Sequence, residues 1–564
     1  MEIAKDAATL RARLERRAAK TPLKPAILFR TDENSLSRWT YRALLDRIRA
    51  LGTALLKRDC GGKAMAILGR NSPDWALAYL TVCCGAGVAV PLDRQLLPEE
   101  IAFTCKFADV RVLFADREGL EKLAQVRRRL PKKLLIVALD GTEDAHAVSL
   151  ESLLQEGAAA MDAGDDRFLN LEIDPQRCTV LFFTSGTTDK PKGVMLSDEN
   201  LCFALHALRQ RVKVLADDTT LCVLPLHHAY QNICMLLLLS VGGAVAFCPG
   251  LRHVSADLKF FQPTVFVTVP LMLEKMHKRI LTQLEKQGRF KRSLASGRMS
   301  FLTARFDLKK YVYALIHDAF GGRLRMIVVG AAALDPSVAR DFSSFGIPVV
   351  LGYGLTECAP VVLCNSSDAP KPDGVGTPLD GLQVILDDAD DSGVGELCVR
   401  GGSVMLGYYK NKKATAAVLK DGWLRTGDLA YRDDDGDYHI TGRKKNIIVT
   451  KTGENVYPEE LESYLNREPL VLESLIFGEE TAGDAVVAVQ VVPDEDAIKA
   501  HLGKDKVTNE EVQGVIRDVI RRVNRRLPSY KSIRSVFIRD KAIEKTSTQK
   551  PKRTPPVRDE TADE

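Results

Sequence analysis

The stretch that most constrains this chain is Thr184 to Leu196, TSGTTDKPKGVML. It follows Val180-Leu181-Phe182-Phe183, an apolar run that reads as a buried strand. The loop then gathers hydroxyls at Thr184, Ser185, Thr187 and Thr188, glycines at Gly186 and Gly193, and lysines at Lys190 and Lys192. Glycine lets the backbone turn sharply and come close to an anion. Hydroxyls, backbone N–H groups and lysines are the groups that hold phosphate oxygens. Composition alone equally allows a flexible Ser/Gly surface loop. The spacing is not that of a Walker A loop, because Thr187-Thr188-Asp189-Lys190-Pro191 follows Gly186 and G-x-x-x-x-G-K-[ST] fails.

The rest of the chain sets the background for that loop. At 564 residues it can bury a sizeable core, and 45% hydrophobic with 27% charged residues is ordinary for a globular protein. A net charge of +5 on 79 basic and 74 acidic residues is too balanced for a nucleic-acid binder. The 12 cysteines include no C-x-x-C pair, so neither a zinc site nor a disulfide framework is suggested, and free thiols in a reducing cytosol account for them. MEIAKDAATLRARLERR has no apolar core and is not a signal peptide. The longest apolar run, Ile233 to Cys248, is interrupted by Ser240, Gly242 and Gly243 and falls short of the ~18–20 residues that span a bilayer. It reads as a buried helix turning into a core strand.

Strands and helices alternate along the chain. Leu44, Ile48, Leu51 and Leu55 recur at helical spacing, Ala64 to Leu68 and Val88 to Leu92 read as short buried strands, and Arg70-Asn71-Ser72-Pro73 is a turn before a helix through Trp75. This order predicts a mostly parallel sheet with helices on its faces. Val265 to Pro270 is another buried strand, and Met326 to Gly330 ends in the small residues Ala331, Ala332 and Ala333. Small residues at the carboxyl end of a strand leave room for a ligand. Arg127 to Arg129 and the pairs Arg521-Arg522 and Arg525-Arg526 read as solvated helix faces. In Leu226-His227-His228, adjacent side chains diverge on a helix or strand, which argues against a two-histidine chelate.

Several strings go beyond pattern. T-S-G-T-T-D-K-P-K-G (184–193), P-L-H-H (225–228), G-Y-G-L-T-E (352–357), G-E-L-C-V-R-G (395–401), W-L-R-T-G-D (423–428), I-T-G-R-K-K-N (440–446) and T-S-T-Q-K-P-K-R (546–553) occur in this order. Together they resemble the motifs of the adenylate-forming superfamily, which includes acyl-CoA synthetases, luciferases and peptide-synthetase adenylation domains. The basic segment 274–315 and the final string are similar to those of long-chain acyl-CoA synthetases. Three positions depart from the pattern: Asp189 and Gln549 stand where glycine is usual, and Asn446 where an acidic residue is usual.

The resemblance implies an α/β fold with a large N-terminal domain of stacked α/β subdomains over 1–441, a small mobile α+β C-terminal domain over 442–553, and a disordered tail over 554–564. It implies ATP, Mg2+ and coenzyme A as cosubstrates and cofactor, and activation of a medium- or long-chain fatty acid to acyl-AMP followed by thioester formation. Thr184, Ser185, Gly186, Thr187, Thr188 and Lys192 would hold the phosphates. Gly330, Ala331, Ala332, Gly352, Tyr353 and Gly354 would border or stack on adenine. Thr356 would bond the α-phosphate, and Glu357 with Thr184 would hold Mg2+. Asp428 would take the ribose, Arg443 would contact ribose or phosphate, Lys445 would be the hinge, His228 would lie at the junction of acyl pocket and acceptor tunnel, and Lys550 would be the catalytic lysine. A separate acyl carrier protein is the alternative acceptor, and a non-catalytic nucleotide- or acyl-binding protein is the alternative of another class. The expected location is cytoplasmic, with peripheral contact at the inner membrane face left open.

Overall fold

A computed structural model describes residues 9–32, 35–141, 144–184, 191–248, 250–286, 313–314, 316–450, 454–481, 484–544 and 553. Ser185 to Lys190, Gln549, Lys550 and the tail over 554–564 lie outside the described residues, as does most of the basic segment, of which 274–286, in the helix Pro270–Lys286, and 313–314 are described.

The chain divides into two compact units, one of residues 1–384 and 399–424, the other of 385–398 and 425–564. The strands Gln383–Asp387, Gly395–Arg400 and Trp423–Arg432 carry the chain across that division.

The large unit holds two extended sheets. In the eight-stranded sheet the order is Gly407–Tyr408, Lys192–Ser197, Cys178–Thr184, Gly87–Leu92, Lys63–Leu68, Val110–Ala115, Leu135–Ala138 and Val148–Ser149. The last six strands pair in parallel, whereas Cys178–Thr184 and Lys192–Ser197 form an antiparallel hairpin around the signature loop. Buried parallel strands are covered on both faces and therefore read as continuous apolar runs; Leu68, Val90, Leu113 and Leu181 form one core with the helices above them. The nine-stranded sheet runs Thr377–Pro378, Leu363–Cys364, Val349–Tyr353, Met326–Val329, Val265–Thr268, Thr219–Cys222, Ala244–Phe247, Pro25–Arg30 and Leu36–Thr40. Its centre is parallel and its margins antiparallel. The apolar run after His228 is the helix Ala229–Val241 followed by the strand Ala244–Phe247.

Local chemistry starts the helices where they start. Ser72 caps Pro73–Thr81, whose proline occupies the first turn, where its missing N–H costs nothing. Ser197 and Asn200 form a reciprocal capping box on Asp198–Arg211. Asp198 is buried and accepts from the Leu10 N–H at 2.9 Å and the Thr179 hydroxyl at 2.9 Å, which ties the N-terminal helix Leu10–Lys20 to the sheet. Arg127–Arg129 is an exposed single turn after the helix Arg117–Val126, in keeping with a solvated end.

The smaller unit packs the helices Pro458–Asn466, Glu495–Leu502 and Asn509–Asn524 with a three-stranded sheet of Val471–Thr481, Asp484–Pro493 and Ser535–Ile538. Leu461, Leu465, Ile476, Val489, Ile516 and Val519 make its core. Arg521 and Arg522 are exposed and pair with Asp518 and Glu468, both at 3.0 Å, so that face is charge-compensated. All 12 cysteines are free thiols. Among the described residues no helix is long and apolar enough to cross a membrane.

Candidate active site

In the large unit the expected phosphate loop is held at both ends by one hairpin. Thr184 and Lys192 face each other in register, with the Thr184 hydroxyl 3.5 Å from the Lys192 carbonyl. In the nine-stranded sheet, Met326–Val329 and Val349–Tyr353 are parallel neighbours, with Val329 opposite Leu351. Their carboxyl ends therefore place Gly330, Ala331 and Ala332 beside the Gly352-to-Glu357 segment. Ligands of open α/β sheets bind at such strand ends.

Backbone constraint marks both segments. Ala331 has φ +74°, a left-handed conformation that costs a residue with a Cβ roughly 1–2 kcal/mol. Gly354 cannot carry a Cβ, which would lie 1.8 Å from the Pro360 carbonyl oxygen. The second glycine of G-Y-G is therefore required by its own chain folding back. Gly330 is packed against Tyr230, whose ring would be 3.2 Å from an added Cβ and whose hydroxyl donates to the Val328 carbonyl at 3.2 Å.

Thr356 and Glu357 sit in one turn of 3-10 helix, Thr356–Cys358. The Tyr408 hydroxyl donates to Glu357 Oε1 at 2.9 Å, and the Lys192 ammonium stands 5.1 Å above the Tyr408 ring. Two backbone bonds fasten the same segment on both sides: Met405 N–H to the Glu357 carbonyl at 2.9 Å, and Leu406 N–H to the Met195 carbonyl at 3.0 Å. One strand thus brings Lys192, Glu357 and the loop hairpin together. Burial, with the neighbouring Glu357 charge, pushes the Tyr408 phenol above its ordinary range, so it stays a donor. Tyr408 was not among the expected site residues. Its only mark in the sequence is the string Gly407-Tyr408-Tyr409, and its partner lies 51 positions away.

The two histidines correct an expectation. Residues 226–228 are neither helix nor strand but a turn ahead of Ala229–Val241, so the rule that adjacent side chains diverge does not apply there. The His227 and His228 ring centroids are only 4.3 Å apart, and Asp93 joins them, with His227 Nε2 3.4 Å from Asp93 Oδ1. His228 is the cap residue of the helix, yet its side chain makes no capping hydrogen bond.

The smaller unit holds the other expected contacts. Asp428 and Arg443 are register partners on adjacent strands, and Arg443 Nε donates to Asp428 Oδ1 at 2.9 Å. The T-G-D turn is built by the G-E motif. Buried Glu396 accepts from the Gly427 N–H at 3.2 Å, Arg425 at 3.1 Å and Lys444 at 3.0 Å. Burial alone would raise the Glu396 carboxyl, but the hydrogen bonds from Lys444 and Arg425 outweigh it and hold it below its usual range. Lys445 is exposed in the 3-10 turn Lys444–Asn446, its ammonium lowered by partial burial and by the charges of Arg443 and Arg553. Asn446, one of the departures from the family pattern, donates to Glu459 Oε1 at 2.7 Å. A carboxylate at 446 would instead face the Glu459 carboxylate.

The AMP-binding enzyme family model matches residues 14–409, and its C-terminal-domain model matches residues 445–561. The chain belongs to the AMP-binding enzyme family. Among its relatives, long-chain-fatty-acid–CoA ligase 5 of Mus musculus is 29% identical over 577 aligned residues, covering 94% of this chain and 84% of that protein. Long-chain-fatty-acid–CoA ligase 6 of Mus musculus is 30% identical, covering 79% of this chain and 68% of that protein. The fold is shared with the crystal structure of an anthranilate CoA ligase in complex with anthranoyl-AMP, at a TM-score of 0.76, 21% identity, 96% coverage of this chain and 95% of that one. The shared fold and the two family-model matches give this family member an α/β architecture with a large N-terminal and a smaller C-terminal domain.

Proposed function

We propose that this AMP-binding enzyme is a fatty acid–CoA ligase that activates a medium- or long-chain fatty acid. The observation that carries the reading is similarity to long-chain-fatty-acid–CoA ligases along nearly the whole chain, 94% of it for the mouse ligase 5. A fatty carboxylate oxygen attacks the α-phosphorus of ATP, and the bond to pyrophosphate breaks. The thiol of coenzyme A then attacks the acyl carbon, its proton is lost, and AMP leaves. No covalent bond to the protein forms, so the enzyme's work is positioning and charge stabilisation.

Lys192 and the hydroxyls of the signature loop bind phosphate oxygens in this scheme. Tyr353 stacks on adenine, Thr356 bonds the α-phosphate, Asp428 holds the ribose, and Arg443 contacts ribose or phosphate. The Glu357 carboxylate oriented by Tyr408, with the Thr184 hydroxyl, is an all-oxygen donor set of the kind Mg2+ prefers alongside phosphate oxygens and water. When bound there, Mg2+ supplies neutralisation of triphosphate charge. Domain 442–553, hinged at Lys445, delivers Lys550 for the first half-reaction and withdraws it for the second, a gating arrangement that lets one site run two steps.

Tyr408→Phe tests the orientation of Glu357. A hydrogen bond to a charged group contributes about 1.5–3 kcal/mol. Half-maximal pyrophosphate release is therefore expected to need roughly 10- to 100-fold more Mg2+. An unchanged Mg2+ dependence would show that Tyr408 is only a packing residue.

The activity itself is tested by pyrophosphate release across a ladder of free carboxylic acids, each with and without coenzyme A. Sustained turnover with long-chain acids that requires coenzyme A is the expected result. One burst per enzyme, not relieved by coenzyme A, would refute the ligase reading and direct the search to a separate acyl carrier protein. ATP binding with no pyrophosphate release would favour a non-catalytic binding protein.

A further inference from the structure

Asp93, His227 and His228 come from two sheets and meet at one place in the large unit. Asp93 follows the strand Gly87–Leu92, and its Oδ1 accepts from the Gln95 N–H at 2.8 Å. The histidines sit in the turn after the strand Thr219–Cys222. Asn71, at the end of the neighbouring strand Lys63–Leu68, clamps that turn: its amide donates to the Leu224 carbonyl at 2.7 Å and accepts from the Leu226 N–H at 3.0 Å. The His228 N–H closes the turn onto the Pro225 carbonyl at 3.1 Å. The backbone that carries both rings is therefore pinned by contacts within the protein.

One ligand atom from each of the three residues lies within 4.8 Å of the other two. His227 is 9% exposed, and its Nε2 is buried without a hydrogen-bond partner among the described residues. That nitrogen stands 3.4 Å from Asp93 Oδ1 without a hydrogen bond between them. Zinc bonds nitrogen and oxygen at about 2.0–2.2 Å, which makes the edge of its tetrahedron about 3.4 Å. Two imidazoles and one carboxylate suit zinc, copper or nickel and are a poor match for Mg2+, which seeks oxygen. Three protein ligands also leave a fourth position open, unlike a closed structural site.

We propose that Asp93, His227 and His228 form a binding site for one divalent transition-metal ion of the zinc class. The ion inhibits thioester formation by tying down His228, a consequence that rests on the place the family resemblance implies for that residue, at the junction of the acyl pocket and the acceptor tunnel. Such a site is separate from Glu357 and Thr184, so Mg2+ in excess does not displace the zinc-class ion.

The test uses the full-length protein stripped of metal and held in excess Mg2+. Zn2+ is titrated in competition with a chromophoric chelator, and Co2+ is added separately to read its ligand-field absorption. One Zn2+ per chain is expected, weakened by at least tenfold in both Asp93→Asn and His227→Gln, since even outer-shell changes cost on the order of 10–100-fold. Each variant keeps a polar side chain, and its melting temperature is compared with the parent's. Equal affinity in the parent and both variants would overturn the site. So would a sulfur-to-cobalt charge-transfer band, which would assign the ion to the free cysteines. These readouts stand whether or not the chain proves to be a fatty acid ligase. Turnover measured at site-filling Zn2+ decides the inhibitory role: loss of thioester formation supports it, and undiminished turnover with the site filled overturns it.

Discussion

Lys550→Ala is expected to abolish acyl-adenylate formation while sparing thiolysis of supplied acyl-AMP. The lysine lies outside the described residues, and its assignment comes from the T-S-T-Q-K-P-K-R string. In the first half-reaction negative charge builds between the incoming carboxylate and the α-phosphate. A fixed cation there stabilises the transition state more than the ground state. Removing a single preorganised stabiliser of developing charge lowers the rate on the order of 10²–10³-fold. In the second half-reaction the leaving group is AMP and the nucleophile a thiol, so the same cation is not needed. The measurement is single-turnover pyrophosphate release beside CoA-dependent consumption of synthetic acyl-AMP. Equal loss in both would count against the alternation model and make Lys550 a general structural contact.

The second large effect is expected three residues further on. Arg553 grips Glu462 with both ends of its guanidinium, each at 2.8 Å, and also donates to the Ile476 carbonyl at 2.9 Å. Glu459 adds a contact at 3.0 Å. Glu462 is 8% exposed and accepts from the Ile476 N–H at 2.8 Å, so it joins the helix Pro458–Asn466 to the strand Val471–Thr481. Deleting Arg553 leaves a buried carboxylate without its counter-charge, which typically costs about 3–5 kcal/mol. That is a large share of the roughly 5–15 kcal/mol that holds an ordinary domain folded. Arg553→Ala should therefore strip hydrogen-exchange protection from the small unit over 455–540 while the sheets of the large unit keep theirs. Arg553→Lys should recover only part, because an ammonium cannot make the two-pronged contact. Adenylation should fall with the alanine variant, since Lys550 stands only three positions before Arg553 in the sequence. Unchanged protection over 455–540 would show the clamp to be dispensable.

Much of this chain was legible before its structure. The strands at Lys63–Leu68, Gly87–Leu92, Cys178–Thr184, Val265–Thr268 and Met326–Val329 all stood out as apolar runs. They did so because parallel strands are covered on both faces and need apolar residues throughout. The motif strings placed the chain in its family because several must occur together and in order. What stayed hidden was pairing across sequence distance. Tyr408 looks like any surface tyrosine until it is seen donating to Glu357. Glu396 looks like one acid in a strand until Arg425, Lys444 and the Gly427 N–H converge on it. The expectation that the His227 and His228 side chains diverge did not hold, because it applied helix and strand geometry to a turn.

Sequence by itself determined the alternation of strands and helices, the starts of capped helices, and family membership. Each of these rests on neighbours in the chain or on fixed strings, and both survive in one dimension. Only the tertiary structure decided that Tyr408 stands between Lys192 and Glu357, that Arg553 clasps Glu462 from 91 positions away, and that Asp93 meets the two histidines. The physical reason is that a hydrogen bond or an ion pair depends on a few ångströms of separation, and which distant residues come that close is set by how the sheets and helices pack.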